Sequence, residues 1–292
     1  MAKSKKEISF QVSKPAELLS FLMEEGGFSR KDAKALLSHD SVVVGRKIQT
    51  KYNYMLKKGQ TVTIDYSNRF AYLREYGIDI IFESDEMVVI NKPCGLLSVN
   101  SDNKLLLSAH SVIDSYLKLT DSGAKAFVVH RLDKDTSGVL LFAKSEKLKR
   151  LLQNDWNERV KERRYCAVTE GVMEKKEDVV ISYLKQDKNN MVYESFDKSG
   201  EQAITNYRVI AENGEYSLLD IAIATGKKNQ IRVCMKGLGH PIIGDKKYGG
   251  KKNPLKRMAL HACKLSIVHP ITGELLEFQA PTPKSFAQIT AV

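Results

Sequence analysis

Apolar residues along this chain fall partly at helical spacing and partly in short strand-like runs. Near the start, Leu18, Leu19 and Leu22 recur at helical spacing after Pro15, which suits a first helical turn, and Gly26-Gly27 ends the run. Ser29 reads as the N-cap of a second helix, with Asp32 three positions on, ahead of Ala33, Leu36 and Leu37. Val42-Val43-Val44, a Gly45-Arg46 turn and Thr61-Val62-Thr63-Ile64 read as short strands that complete a compact module over residues 13–66. Residues 67–80, polar and aromatic, read as a linker into a larger domain over residues 81–292.

In that larger domain strand-like runs dominate. Ile80-Ile81-Phe82 and Met87-Val88-Val89-Ile90 precede an Asn91-Lys92-Pro93 stop and a Gly95 turn. Residues 102–119 have helical spacing through Val112, Ile113 and Leu117. Val139-Leu140-Leu141-Phe142 follows a Thr136-Ser137-Gly138 turn and reads as a buried strand. Ser145 then caps the clearest helix, with Leu148, Leu151, Leu152, Trp156 and Val160 on one face and a basic series, Lys147 to Arg164, on the other. Residues 165–168, 203–209, 216–224, 230–235 and 275–278 are further strand candidates, and residues 172–200 read as a charged excursion over the surface. The sum is an α+β chain built on a mixed, mostly antiparallel sheet, with a small N-terminal module.

Composition narrows the field. At 292 residues and 42% hydrophobic content the chain has material for a substantial core. No segment approaches the roughly 18 apolar residues of a membrane span. The basic start, residues 1–6, has no apolar signal core behind it, so a cytoplasmic location is expected. Cys94, Cys166, Cys234 and Cys263 lack the paired spacing of a zinc site or disulfide framework, and buried thiols are expected. A formal net charge of +11 points to a polyanionic partner. Arg30, Lys31 and Lys34 share adjacent turns of the second helix, a face suited to phosphate or simply to water.

Two segments concentrate polar chemistry. The first, residues 129–144, packs His130, Arg131, Asp133 and Asp135 ahead of the buried strand, and by itself reads as a capped surface turn or a functional loop. The second is Thr225-Gly226-Lys227-Lys228-Asn229-Gln230-Ile231-Arg232-Val233. Read as a turn into an alternating strand, it puts Gln230 and Arg232 on one face and Ile231 and Val233 on the other. An arginine so placed can pair with Asp133 and hold it ionised, or serve the fold alone.

The N-terminal order of a helix, S-R-x-x-A-x-x-L-L, V-x-V-x-G-R-x-I and L-K-x-G-x-x-V-x-I resembles the S4 RNA-binding module over about fifty residues. Such modules usually open their first helix with Arg-Leu-Asp, and here Lys14-Pro15-Ala16 and Glu17 stand near that place. The larger domain carries H-R-L-D-x-D-T-S-G-V-L-L, R-Y-x-A-V, T-G-x-x-x-Q-I-R-V, G-H-P-I-I-G-D-x-x-Y-G, A-L-H-A and H-P-x-T-G-E, in an order that resembles the RluA-type pseudouridine synthases. That resemblance implies isomerisation of uridine in structured RNA, most naturally large-subunit ribosomal RNA, with tRNA as the alternative substrate. A non-catalytic RNA-binding or ribosome-assembly protein on the same fold is the alternative from another class.

Carried over by position, the resemblance implies Asp133 as the catalytic aspartate, acting as nucleophile or acid–base on a flipped-out uridine. Arg131 would fill the gap left in the RNA stack, Tyr165 would lie against the base and assist proton removal from C5, and Arg232 would pair with Asp133. Ile231 would line the pocket, with Lys227, Arg30, Lys31 and Lys34 as further RNA contacts. It implies no metal or organic cofactor, and a monomer is expected. The family usually reads Thr-Gly-Arg-x-His-Gln-Ile/Leu-Arg-Val-His, where this chain has Lys227, Asn229 and Cys234 in place of Arg and the two His. Those departures read as an adjusted pocket rim. His240, His261 and His269 are expected to be structural, and the basic residues from Lys246 to Arg257 to face RNA or water.

Overall fold

The computed structural model describes residues 7–45, 47–66, 69–100, 107–119 and 121–291. The basic start at residues 1–6, Arg46 of the expected turn, residues 67–68 of the expected linker and residues 102–106 of the expected helical stretch lie outside that set.

The N-terminal elements are β1 (Glu7–Gln11), β2 (Ala16–Glu17), α1 (Leu18–Glu24), α2 (Arg30–Ser38), β3 (Val42–Val44), β4 (Lys47–Ile48), β5 (Met55–Leu56) and β6 (Thr61–Asp65). Strands β1, β6, β3 and β4 form an antiparallel sheet in that order, and β2 pairs with β5. Leu18, Leu22, Leu37, Val62 and Ile64 meet in a core of their own beneath the two helices. Ser29 caps α2, its hydroxyl accepting from the Asp32 amide at 3.1 Å. Pro15 lies ahead of β2 rather than in a helical turn, because its neighbours Ala16 and Glu17 pair with Leu56 and Met55.

The larger unit comprises α3 (Arg69–Glu75), β7 (Asp79–Glu83), β8 (Met87–Lys92), α4 (Ala109–Lys118), β9 (Phe127–Val128), β10 (Ser137–Ala143), α5 (Glu146–Asn154), α6 (Trp156–Arg159), β11 (Val160–Glu170), β12 (Glu177–Gln186), β13 (Val192–Glu194), β14 (Glu201–Glu212), β15 (Tyr216–Ile223), α7 (Gln230–Gly237), β16 (Leu260–Val268), β17 (Leu275–Gln279) and α8 (Lys284–Thr290). Its sheet runs β13-β12-β14-β15-β11-β16-β10-β8-β7, with β17 on β16 and β9 on β10. Strands β10 and β16 run parallel, whereas the central pairs β11–β15, β11–β16 and β8–β10 are antiparallel.

Several expectations are corrected. The stretch read as a linker contains α3, whose Leu73 joins Val88, Ile90, Val112 and Ile113 in one core. Arg74 of that helix reaches back to Asp40 of the N-terminal unit at 3.1 Å. The helix beginning after Ser145 stops at Asn154, and Val160 pairs with Ile267 in the sheet, so strand pairing overrides the helical period. Residues 172–200 hold the β12–β13 hairpin rather than a surface loop. Residues 230–235 form the start of α7, not a strand, and all six are buried. Of the cysteines, Cys234 alone is fully buried, and Cys94, Cys166 and Cys263 are half-buried free thiols. Among the described residues, no helix is long and apolar enough to cross a membrane.

The register at β16 positions the two halves of the cleft. Gly138 on β10 and Tyr165 on β11 both pair with Ala262, from opposite sides. A Cβ at Gly138 would lie 2.1 Å from the Ala262 carbonyl oxygen, and its φ is +116°. Glycine is required there by close approach and by backbone conformation together.

Candidate active site

The loop between β9 and β10 carries Asp133 and is held from below by the turn after β8. The Ser98 hydroxyl donates to the Leu132 carbonyl at 2.7 Å and accepts from the Leu132 amide at 3.0 Å. Lys92, fully buried, donates from Nζ to the carbonyls of Pro93 at 2.8 Å, Leu96 at 2.7 Å and Lys134 at 3.0 Å. Burial pulls its pKa down to about 8. His130 stacks on Trp156 at 5.1 Å, and its Nε2 accepts from the Leu141 amide at 3.1 Å, which puts the proton of the neutral ring on Nδ1. Burial, with the Arg163 charge behind it, lowers the His130 pKa to about 4. The loop is therefore fixed by backbone and side-chain bonds on a strand end, which is how a reactive side chain is held in place.

The Asp133 carboxylate is 31% exposed and is bonded through one oxygen. Arg232 Nη1 donates to Oδ2 at 2.9 Å, and Asn229 Nδ2 donates to the same Oδ2 at 2.6 Å. Arg232 lies in the first turn of α7 and is held on its other side by Asp245, Nε to Oδ2 at 2.7 Å and Nη2 to Oδ1 at 2.8 Å. Burial works against the guanidinium charge, yet Asp245 and then Asp133 raise its pKa above the ordinary arginine value. Asp245 also accepts from the amides of Lys247 and Tyr248, both at 3.1 Å. The Tyr248 ring lies 4.9 Å beneath the Arg232 guanidinium, and its hydroxyl donates to Asn229 Oδ1 at 3.1 Å.

Tyr165 enters the same cleft from β11. Its hydroxyl has no hydrogen-bond partner among the described residues, and burial pushes the phenol pKa up to about 12, so it is protonated at neutral pH. Arg163, two positions earlier, donates from Nη2 to the Ala224 carbonyl at 3.0 Å, while its buried Nε has no partner among the described residues. It fits against Gly226, where a Cβ would come within 2.4 Å of Nη1. Gln230 pins the preceding turn: its Oε1 accepts from the Thr225 hydroxyl at 2.8 Å and the Lys227 amide at 3.0 Å, and Nε2 donates to the Ile204 carbonyl at 2.9 Å.

The cleft has a volume of about 630 Å³ and brings together Asp133, Tyr165, Arg232, Arg131, Ile231 and Lys227. Arg131 is exposed, Ile231 is buried, and the Lys227 ammonium is engaged by Glu201 at 2.7 Å. Arg30, Lys31 and Lys34 are not part of it and stand exposed on α2. His240 and His261 bond the Glu170 carbonyl at 2.9 Å and the Ser137 hydroxyl at 2.8 Å, and buried His269 lies 3.2 Å from Glu86. In the basic run from Lys246, Arg257 turns inward to the Ser137 hydroxyl at 2.6 Å and Lys252 approaches Glu215 at 3.4 Å. Three site residues escaped the sequence reading. Asn229 stands in the sequence only as a departure at the pocket rim, and Tyr248 lies among the lysines that follow Lys246. Asp245, a lone acid closing the apolar G-H-P-I-I-G-D stretch, was the one available signal.

Asp133 is the one carboxylate lining the cleft among the described residues, against Arg131, Arg163, Lys227, Lys228 and Arg232. A cleft that is cationic around one held carboxylate and walled by a tyrosine has the make-up of an enzyme site open to an anionic substrate such as a nucleic acid. Residues 86–236 match the family model described as RNA pseudouridylate synthase. YhcT of Bacillus subtilis (strain 168), an uncharacterized RNA pseudouridine synthase, is 34% identical over 252 residues, 85% of this chain and 83% of that one. Ribosomal large subunit pseudouridine synthase D of Haemophilus influenzae is 30% identical over 90% of this chain and 86% of its own. The solved structure of human RNA pseudouridylate synthase domain containing 1 matches the fold with a TM-score of 0.58 at 23% identity, over 71% of this chain and 84% of that one. This chain belongs to the RNA pseudouridine synthase family.

Proposed function

We propose that the protein isomerises uridine to pseudouridine in large-subunit ribosomal RNA, with Asp133 as the catalytic carboxylate. The observation that carries this reading is the cleft itself, where one carboxylate, bonded by Arg232, shares a cationic pocket with Tyr165. The reaction breaks the N1–C1′ glycosidic bond, turns the uracil and joins C5 to C1′. The proton lost from C5 is matched by one gained at N1, so the change is an isomerisation. A base inside a helix is out of reach, and the target uridine enters this pocket flipped out of its stack. Arg131, exposed at the mouth, occupies the gap it leaves, and the neutral Tyr165 ring lies against the uracil.

The N-terminal unit acts as an S4-like RNA-binding module in this reading. Arg30, Lys31 and Lys34 stand exposed on one side of α2, each available to a phosphate. Ribosomal RNA as the substrate is favoured by the relative from Haemophilus influenzae, whose name states that activity. The protein works as a monomer in the cytoplasm, where ribosomal RNA is made in bacteria. Pseudouridine maps of RNA from cells with and without the gene test the reading. At least one large-subunit site is expected to vanish without the gene, to return with the wild-type protein and to stay absent with Asp133→Asn. Unchanged maps would overturn it.

A further inference from the structure

Both hydrogen bonds received by the Asp133 side chain end on Oδ2, from Asn229 Nδ2 at 2.6 Å and Arg232 Nη1 at 2.9 Å. Among the described residues, Oδ1 has no partner. The amide at Asn229 has its direction forced from further back. The Val192 amide on β13 donates to the Tyr248 hydroxyl oxygen at 3.3 Å. A backbone N–H can only donate, so the hydroxyl proton must point elsewhere, and it points to Asn229 Oδ1 at 3.1 Å. With its oxygen occupied as acceptor, the amide turns its NH₂ to the carboxylate. The chain Val192, Tyr248, Asn229, Asp133 thus runs one way from end to end. Asn229 also holds φ +54°, the left-handed conformation that asparagine tolerates better than most residues, and this turn places its side chain beside Asp133 rather than along α7.

We propose that Asn229, oriented by Tyr248, is a positioning residue that with Arg232 fixes Oδ2 of Asp133 and presents Oδ1 as the reacting oxygen. The two donors have different tasks. Arg232 supplies charge, and Asn229 supplies a second direction, so the carboxylate plane cannot rotate about the guanidinium bond. Both end on Oδ2 and leave the same oxygen free for the uridine. This rests on the function proposed above.

The test uses the full-length protein and tritium release from RNA carrying 5-tritiated uridine, prepared from cells lacking the gene. Asn229→Gly removes the amide and keeps the left-handed backbone. It is expected to lower kcat roughly 10- to 100-fold, the worth of a hydrogen bond to a charged group, with KM within about twofold of wild type. Asn229→Asp restores the shape and not the donor, and is expected to fall at least as far at neutral pH. Tyr248→Phe is expected to shift kcat the same way by less, and to add nothing in the Asn229→Gly background. Wild-type kcat in Asn229→Gly, full rescue by Asn229→Asp, or additive effects of the two changes would each overturn the proposal. Inactive wild-type protein would instead overturn the function on which it rests.

Discussion

Asp245 grips Arg232 through two parallel hydrogen bonds, at 2.7 and 2.8 Å, and leaves Nη1 to reach Asp133. One planar fork thereby serves two carboxylates, a geometry that an ammonium lacks. Arg232→Lys is expected to keep the charge and lose about 100-fold in kcat/KM, since small misplacement of a reacting group has effects of that size. Asp245→Asn is expected to lower unfolding free energy by about 3 kcal/mol, because it breaks a buried ion pair. Chemical denaturation and tritium-release kinetics on the two variants check both outcomes.

Gly138 and Gly226 make a contrasting pair. At Gly138 an added methyl meets the Ala262 backbone at 2.1 Å on a left-handed φ, so Gly138→Ala is expected to destabilise by about 3 kcal/mol or more. At Gly226 the methyl meets the far end of Arg163 at 2.4 Å, and a flexible side chain can move aside. Gly226→Ala is expected to change stability by less than about 1 kcal/mol while raising KM, because Arg163 leaves its place in the cleft wall. Melting temperatures and KM separate the two.

His130 and His261 both have pKa values lowered to about 4 by burial, against an ordinary 6.5. Between those values the unfolded chain binds more protons than the folded one, so these groups make stability fall as pH drops from 6.5 towards 4. Near pH 5 they account for roughly two protons taken up on unfolding. His261→Asn is expected to remove about one of them, flattening the slope of stability against pH. Denaturant midpoints measured from pH 4.5 to pH 6.5, at about half-unit steps, test this.

Lys92 is a buried ammonium whose three hydrogen bonds go to carbonyls under the Asp133 loop. Lys92→Met is expected to leave carbonyls of that turn unsatisfied, at about 1–3 kcal/mol for such a group, and to loosen the loop. Activity is expected to fall with stability, and hydrogen exchange of the Leu132 amide, now held by Ser98, to quicken. Unchanged exchange would assign Lys92 to the core alone.

Much of this was legible in the residues. The pairing of Arg232 with Asp133 was anticipated, yet for a geometric reason that does not hold. Residues 230–235 alternate polar and apolar at first, which reads as a strand, but both faces are buried and the period carries no information there. The helix arises because Asn229 turns the chain with positive φ just before Gln230, a local event invisible in the pattern. Asn229 was likewise read as a rim substitution, since a lone amide carries no spacing signal. Its role needs Tyr248 and the edge strand β13, which sequence order keeps apart. The hidden helix α3 was obscured by aromatic residues, Phe70, Tyr72 and Tyr76, on a stretch that looked polar.

The site also carries a clock. The bonds from Asn229 and Arg232 to Asp133 bridge 96 and 99 positions of sequence, and that from His261 to Ser137 bridges 124. Contacts so distant can form only once the later partner has been made. A chain still lacking Asp245 and Tyr248 has its carboxylate loop, tied by Ser98 and Lys92, but not the groups that orient Arg232 and Asn229 towards Asp133. Product formation therefore reports that synthesis has passed those residues and that the sheet has closed around β16.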